Sequence, residues 1–264
     1  ECAKCHKKSE KGFKKCSACR KVYYCSRECQ KSDWKRHKKV CKKARKRHSR
    51  NGRSGELTEE LARAIPLFFA SKEGDIDKVK TLIHYGADVN NKYIDENANR
   101  ALHVATEEGH VEIVKVLLEN DACVNAVNKR KETALFLAAD KGHVDVAKVL
   151  IQNGADVNAV QKDKWTSLHF AGQYGHPNVA KLLIQNGAAV NAVGKNRCTP
   201  LHNASWEGHV DVVKVLIQNG ADMSAVREGK ATALHVASKE GHADVAKVLV
   251  QNGADVNAVA GEYK

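Results

Sequence analysis

The first 41 residues contain seven cysteines and two histidines, and the cysteines together with His37 form four close pairs. A tetrahedral zinc ion takes four thiolate or imidazole ligands, so eight such residues are enough for two ions. A segment of about 40 residues is too short to fold on an apolar core alone. The pattern therefore predicts a small binuclear zinc module over residues 2–41, with the pairs Cys2/Cys5, Cys16/Cys19, Cys25/Cys29 and His37/Cys41 as ligands.

The spacing within each pair suits chelation. Two thiolates separated by two residues can turn onto one ion, and the C-x3-C and H-x3-C pairs place ligands four apart on one face of a helix. A disulfide framework is the alternative explanation for many cysteines in a small domain. The eighth ligand here is a histidine, which favours metal.

The segment resembles the MYND zinc-finger family. The resemblance is carried by the order of the ligands, by Tyr23 and Tyr24 before Cys25, and by the run YCSRECQKSDWKRHKKVC. It implies two interleaved zinc ions, one held by Cys2, Cys5, Cys25 and Cys29 and the other by Cys16, Cys19, His37 and Cys41. A RING finger, with ubiquitin ligase activity, is a minor alternative. Its third ligand pair is typically C-x2-C, whereas the third pair here, Cys25/Cys29, is C-x3-C.

The rest of the chain repeats with a period of 33 residues. Leucines recur at 102, 135, 168, 201 and 234, and Gly-His pairs recur with the same interval. This period, with TPLH at Thr199–His202 and GADVNA at Gly154–Ala159, resembles the ankyrin repeat. We delimit six repeats: 61–93, which is degenerate, then 94–127 after a two-residue insertion, 128–160, 161–193, 194–226 and 227–259.

The predicted fold is mainly α: an ankyrin-repeat solenoid of about six helix-turn-helix repeats over residues 56–260, preceded by the finger. Residues 56–65 are expected to form a polar leading helix. The last repeat is as apolar as an interior one, so we expect the chain to be a fragment of a longer protein. The recurrent histidines are interpreted as structural hydrogen-bonding residues rather than metal ligands or bases: His103, His169, His202, His235, and His110 through His242 at intervals of 33.

Charge is uneven along the chain. Residues 1–55 hold 21 Lys or Arg against 4 Asp or Glu, and residues 56–264 hold 23 against 27. A basic patch in the linker 42–55 could serve nuclear import or bind nucleic acid, or could be a solvated connector. It consists of Lys42, Lys43, Arg45, Lys46 and Arg47.

Several function classes are disfavoured. No apolar run approaches the roughly 20 residues of a membrane span. The closed zinc sites leave no position for water, and no hydrolase or phosphate-loop motif occurs, so an enzyme is the weaker class. Zinc thiolates and the free thiols Cys123 and Cys198 suit the cytoplasm or nucleus.

The resemblances imply two protein-binding surfaces. MYND fingers dock proline-containing peptides of PxLxP type, here at Gln30 and Trp34, although Trp34 could instead cover the zinc core. Ankyrin arrays bind on hairpin tips and inner helices, and register places Lys129, Arg130, Lys162, Lys195 and an aromatic trio of Trp165, Tyr174 and Trp206 there.

The sequence thus predicts a monomeric adaptor that binds two proteins. One protein docks on the finger, which holds two zinc ions, and the other docks in the groove of the ankyrin repeats. The rival hypothesis is a chromatin- or RNA-associated factor using the basic N-terminal region, with only weak, non-specific nucleic-acid binding expected here. A third is a fragment of a larger enzyme whose catalytic domain lies elsewhere.

Overall fold

The chain divides into two units, Glu1–Glu56 and Leu57–Lys264. The computed structural model describes residues 14–15, 23–24, 59–93 and 97–261. In the first unit, strands β1 (Lys14–Lys15) and β2 (Tyr23–Tyr24) pair antiparallel, with Lys14 opposite Tyr24 and Lys15 opposite Tyr23. This two-stranded ladder lies within the segment predicted to bind zinc.

The second unit is a succession of helix pairs, each pair joined by a tight turn. The prediction of about six helix-turn-helix repeats is confirmed. No helix in the described ranges has both the length and the apolar character needed to cross a bilayer. The helices are α1 (Glu59–Glu73), α2 (Ile76–His84), α3 (Ala101–Glu107), α4 (Val111–Glu119), α5 (Ala134–Lys141), α6 (Val144–Gln152), α7 (Ser167–Gln173), α8 (Pro177–Gln185), α9 (Pro200–Glu207), α10 (Val210–Gln218), α11 (Ala233–Lys239) and α12 (Ala243–Gln251).

The helices form two layers. The first, inner helix of each repeat packs on the inner helices beside it, and the second, outer helix packs on its outer neighbours. In α6, for example, Val146, Ala147 and Leu150 are buried, whereas Lys148 on the other face is exposed. One apolar core therefore runs between the layers from the first repeat to the last. Charged residues lie on the exposed face of the outer helices, as where Lys214 Nζ lies 3.2 Å from Asp211 Oδ1 on α10.

The first repeat departs from the expected boundaries. The predicted leading helix at 56–65 is not a separate element, because α1 runs without a break from Glu59 to Glu73 with Pro66 inside it. Proline removes one N–H from the helix without ending it here. Downstream, the Tyr93 ring stacks on Phe68 with a centroid distance of 4.1 Å, and the Tyr93 N–H donates to the Asn99 carbonyl. Tyr93 therefore packs on the first inner helix and is hydrogen-bonded to Asn99.

Candidate functional site

Histidines of the first row, such as His169 and His202, join their inner helix to the hairpin of the next repeat. The Nδ1 atom of His169 accepts from the Thr166 hydroxyl at 2.9 Å, and Nε2 lies 3.1 Å from the Cys198 carbonyl. Because a carbonyl can only accept, Nε2 carries the proton. Burial lowers the pKa of His169 to about 4, so the ring is neutral near pH 7. Both ring nitrogens are occupied, which confirms the predicted structural role.

The same arrangement recurs at His202, where burial also lowers the pKa and Nε2 lies 3.2 Å from the Ala231 carbonyl. The third repeat has Phe136 at this position. Phe136 is fully buried and meets Phe170 edge to face, and the Thr133 hydroxyl is left buried without a hydrogen-bond partner. In this repeat an apolar contact replaces the polar one.

The second row of histidines joins neighbouring repeats. Each ring donates through Nε2 to a carbonyl near the end of the preceding inner helix, at 2.8 to 3.0 Å. These bonds satisfy carbonyl groups that a helix end leaves unpaired. The predicted structural role of this row is confirmed. The donor and acceptor residues are His110 to Lys72, His143 to Glu107, His176 to Asp140, His209 to Gln173 and His242 to Trp206.

Glycine is required where these rings approach the chain. At Gly142, which ends α5 with a φ of 73°, a Cβ atom would lie 2.5 Å from Nδ1 of His176. A side chain there would be strained by the backbone and blocked by the ring. The Gly-His pair recurs in the sequence because the glycine of one repeat contacts the histidine of the next repeat, as Gly142 contacts His176.

Two of the three predicted groove aromatics are exposed. Tyr174 is 50% exposed and Trp206 is 38% exposed, at the ends of neighbouring inner helices α7 and α9. The Arg227 guanidinium lies 5.1 Å and the Lys239 ammonium 5.5 Å from the Trp206 ring centroid. Cations at this distance over an indole are attracted to its π face. The indole is held in place while part of it remains accessible.

Trp165 does not join them, so the prediction of an exposed trio is wrong for this residue. Its indole is half-buried, stacks on the His169 ring at 5.9 Å, and has its Nε1 buried without a hydrogen-bond partner. A Cβ atom at Gly194 would lie 2.5 Å from Trp165 Cδ1. The indole therefore fills space that a side chain at the start of the next hairpin would occupy.

The predicted basic residues lie at hairpin tips. Lys129, Arg130, Lys162 and Lys195 are all exposed. Lys195 Nζ lies 3.2 Å from Asp163 Oδ1 of the preceding tip, and the Lys195 N–H donates to the Asp163 carbonyl. Beside them lies an open depression of about 570 Å³. Its lining includes Lys164 and Arg197, which the sequence reasoning did not select.

Reactive chemistry is not evident in the repeats. Cys123 is an exposed free thiol, and burial raises the pKa of the half-buried Cys198 thiol. No group of three or more histidine, cysteine or acidic residues is placed to hold a metal ion in the parts of the chain that the structure describes. The predicted zinc ligands, Gln30, Trp34 and the basic patch at 42–47 lie outside the described residues.

The donor chemistry of the N-terminal segment fits zinc. Seven thiolates and one imidazole are the ligands that structural zinc sites use, and no other residue type is needed to complete two tetrahedral sets. When bound, zinc would supply the folding energy that a short segment lacks. The residues that would hold it are Cys2, Cys5, Cys16, Cys19, Cys25, Cys29, His37 and Cys41.

Family models match both parts of the chain. Ankyrin repeats match residues 67–161, 153–227 and 207–250. The chain belongs to the ankyrin-repeat family. A MYND finger matches residues 2–41 and precedes the repeats. Zinc binding and protein–protein interaction follow from these two domains.

Similar proteins match short stretches of this ankyrin-repeat chain. It is 55% identical over 42 residues to a homolog of zinc finger MYND domain-containing protein 10 from Drosophila melanogaster, covering 16% of the chain and 9% of that protein. It is 34% identical over 82 residues to an N-lysine methyltransferase of Danio rerio, covering 31% and 18%. A putative ankyrin repeat protein of fowlpox virus is 38% identical over 65 residues, covering 25% and 9%. The matches span less than a fifth of these relatives' lengths.

Proposed function

We propose that this chain is a two-module adaptor that brings together two different proteins. The repeats bind one protein through Tyr174 and Trp206. The finger docks a proline-containing segment of a second protein. The observation that carries the proposal is the pair of accessible aromatics on neighbouring inner helices, one of which is contacted by two cations. Large aromatic side chains surrounded by charged groups are typical of residues that dominate binding energy.

The repeat surface has the features of a site for protein rather than for chemistry. His169 on α7 is neutral near pH 7 and is bonded on both ring nitrogens. Gln173 Nε2 donates to Glu207 across the same two inner helices at 3.0 Å. Polar groups around an apolar anchor exclude water and add specificity when a partner covers them.

Quantitative capture of partners tests the repeat surface. We expect the double variant Tyr174→Ala/Trp206→Ala of the full chain to lose a defined set of proteins that the parent chain retains. The matched control is Tyr85→Ala, which removes an aromatic side chain that is 72% exposed at the end of outer helix α2. Equal losses in both variants, or none in either, would contradict the proposal.

The finger is proposed to hold two zinc ions and to bind the peptide beside Gln30 and Trp34. Support comes from the resemblance to MYND fingers and from the spacing of these residues, which puts them one helical turn apart. The test is titration of a labelled PxLxP peptide against Gln30→Ala and Trp34→Ala, with zinc measured on the same samples. Lost peptide binding with zinc retained supports docking. Lost zinc would make Trp34 structural.

The basic patch at 42–47 is proposed as a linker or nuclear-import segment, which makes the cytoplasm and the nucleus the expected compartments. A nucleic-acid function is the second candidate, favoured by the excess of 17 positive charges in residues 1–55. A phosphate contact would show as a log–log salt slope of about one unit per neutralised phosphate. Tight binding of one nucleic-acid sequence at physiological salt would favour that candidate over the adaptor.

The name of the Danio rerio relative raises a catalytic alternative, that the parent protein is a lysine methyltransferase. The shared segment is 18% of that protein, and the modules matched here are an ankyrin array and a MYND finger. We propose binding rather than methyl transfer for residues 1–264. A methyltransferase assay of this chain with S-adenosylmethionine and histone or peptide substrates is expected to give no turnover.

A further inference from the structure

The hairpin tips concentrate positive charge on a unit that is otherwise acidic. We use the name tip row for the four tip segments, residues 128–131, 161–164, 194–197 and 227–230. These 16 residues contain nine Lys or Arg and two Asp or Glu. Residues 56–264 as a whole contain 23 basic and 27 acidic residues. The tip row is therefore a localised basic surface rather than a sample of the average composition.

The last residue of each tip adopts a conformation that suits glycine. The φ angles are 63° at Lys131, 61° at Lys164, 58° at Arg197 and 56° at Lys230. The left-handed region costs an L-residue roughly 1 to 2 kcal/mol, and glycine enters it freely. Four consecutive tips thus carry a basic residue where glycine would be more stable. Strain that recurs at equivalent positions points to a function for the side chain.

The basic side chains of the tip row are accessible. Every Lys and Arg in it is exposed except Arg227, which is half-buried over Trp206. Lys195 pairs with Asp163. The ammonium groups of Lys164 and Lys230 have no carboxylate within ion-pair distance among the residues that the structure describes. Much of the charge is thus available to a partner.

A row of valines runs beside the charges. One valine immediately precedes each tip, and all four are exposed: Val127 at 43%, Val160 at 53%, Val193 at 57% and Val226 at 36%. The two rows meet in the 570 Å³ depression, which Val193 lines together with Lys162, Lys164, Lys195 and Arg197. The surface therefore offers alternating apolar and cationic contacts along several repeats.

We propose that the tip row and its valines form a docking surface for an acidic, extended protein segment whose apolar side chains contact the valines. The inference rests on the proposed adaptor function, because it names the chemistry of a partner of the repeats. Carboxylates along such a segment would meet successive tips, and an aliphatic side chain would enter the depression beside Val193. The tip residues involved are distinct from the aromatic pair Tyr174 and Trp206.

A protein segment fits this surface better than single-stranded nucleic acid. Nucleic-acid grooves combine cations with aromatic faces on which bases stack. The aromatic ring nearest the depression is Trp165, and its faces are taken up by the His169 ring and the Gly194 backbone. The exposed apolar groups that immediately precede the tips are valines, which offer aliphatic contact and no stacking platform. Trp206 lies beside the last tip, but the Arg227 and Lys239 cations already contact its ring.

The test uses the full chain and three labelled probes in fluorescence anisotropy. The first is a 15-residue peptide of Glu-Asp-Val units, the second replaces Val with Ser, and the third is an oligodeoxythymidine of the same charge. The tip variant is Lys131→Glu/Lys164→Glu/Lys230→Glu, which keeps a non-glycine residue at each left-handed position. The control variant, Lys148→Glu/Lys181→Glu/Lys247→Glu, makes the same charge change on exposed positions of the outer helices.

We expect the tip variant to bind the Val peptide at least about tenfold more weakly and the control variant to lose less than about twofold. The variant Val160→Ser/Val193→Ser should weaken the Val peptide by about threefold and leave the Ser peptide unchanged. Equal losses in the tip and control variants would overturn the proposal, as would tip-dependent binding of the oligonucleotide alone. Melting curves establish that each variant is folded.

The same titration separates this inference from the adaptor proposal. Tyr174→Ala/Trp206→Ala is expected to retain binding of the Val peptide, because those side chains lie outside the tip row and Trp206 contacts it only through Arg227. If that variant retains its protein partners while the tip variant loses the peptide, the aromatic anchor fails and the acidic-segment site stands. If partner capture depends on the aromatics and neither the parent chain nor any variant binds the Val peptide, the aromatic anchor stands and the acidic-segment site fails.

Discussion

The His242 ring donates a hydrogen bond of 2.8 Å to the main-chain carbonyl of Trp206, whose own side chain is 38% exposed. The backbone of the proposed anchor is thus fixed by the following repeat, and its indole is free to meet a partner. Stability and binding at this residue depend on different atoms. Mutations can therefore separate the two properties.

Trp206→Ala is expected to weaken partner binding by about 2 kcal/mol or more, since removing a central aromatic anchor commonly costs that much. The free energy of unfolding should fall by only about 1 kcal/mol, from the lost contacts with Arg227 and Lys239. His242→Ala is the reciprocal control, because it removes the backbone bond and leaves the indole in place. Binding affinity and chemical denaturation are measured on each variant. A large loss of stability with unchanged binding in Trp206→Ala would make the indole structural.

Ser224→Asn is expected to stabilise the array. Asparagines at 90, 125, 158 and 191 each donate to a carbonyl of the next repeat and accept an N–H from it. Ser224 stands at the equivalent position and bonds Asp222 within its own repeat. An asparagine there could reach the Gly253 carbonyl and the Asp255 N–H. We expect a gain of about 1 kcal/mol, and a similar loss from the converse change Asn191→Ser, by urea denaturation.

Stability should fall as the pH drops from 6.5 towards 4. Burial holds the pKa of His169 at about 4, whereas an unfolded histidine titrates near 6.5. In this interval the unfolded chain binds a proton that the folded chain does not. The contribution of His169 to the free energy of unfolding is therefore greatest above pH 6.5 and is lost progressively as the pH falls towards 4. The shift corresponds to at most about 3 kcal/mol. Nuclear magnetic resonance should show a His169 signal that does not titrate above pH 5.

The variant His169→Phe provides the control for that pH effect, because the third repeat already uses Phe136 at the equivalent position. Its unfolding free energy should depend less on pH between 6.5 and 4 than that of the parent chain. An unchanged pH dependence would show that other groups, His202 among them, account for the loss.

Lys164→Gly is expected to raise the free energy of unfolding by about 0.5 to 1 kcal/mol, because it relieves a left-handed lysine at a φ of 61°. Lys162→Gly removes the same charge from the same tip at a position without positive φ, and it should be neutral or destabilising. Thermal unfolding of the two variants distinguishes backbone strain from charge. Equal stabilisation by both would attribute the effect to charge repulsion in the tip row.

The purified chain is expected to contain two equivalents of zinc, with each site contributing roughly 10 to 16 kcal/mol of binding free energy to folding of the finger. A chelator should then remove the ordered structure of residues 2–41 and leave the helical circular dichroism of the repeats. Atomic emission gives the metal content and far-ultraviolet spectra give the helicity. A content near one, or loss of repeat helicity with chelator, would contradict the assignment.

Much of the repeat architecture can be predicted from the period of 33. The position of Leu168 predicts its burial, and the Gly-His pairs predict the turns between inner and outer helices. The structural roles of His169 and His176 also follow from repetition, since a residue that recurs in every repeat serves the contact between repeats. The fold can therefore be predicted from the sequence wherever the sequence conforms to the period of 33.

The incorrect and missing predictions concern residues whose conformation or exposure depends on the turn and on the neighbouring repeat. Trp165 was expected to be exposed because its hairpin position is exposed in register, but Gly194 in the next repeat makes room for its indole. The strain at Lys131 and Lys164 was missed because positive φ is a property of the turn, and the sequence shows only that glycine is absent. Such features require the neighbouring repeat to be in place.

The junctions between repeats are not equally hydrogen-bonded. The N–H of a tip residue donates to the preceding tip at Lys129, Lys195, Glu228 and Gly261. The equivalent N–H of Lys162 has no backbone acceptor within the described ranges, and the asparagine bond is replaced at Ser224. The fourth and fifth repeats, residues 161–226, therefore lie between two junctions that each lack one of these bonds. A partner that contacts Tyr174 and Trp206 would therefore span the junction between these two repeats, which has both the tip bond and the asparagine bonds.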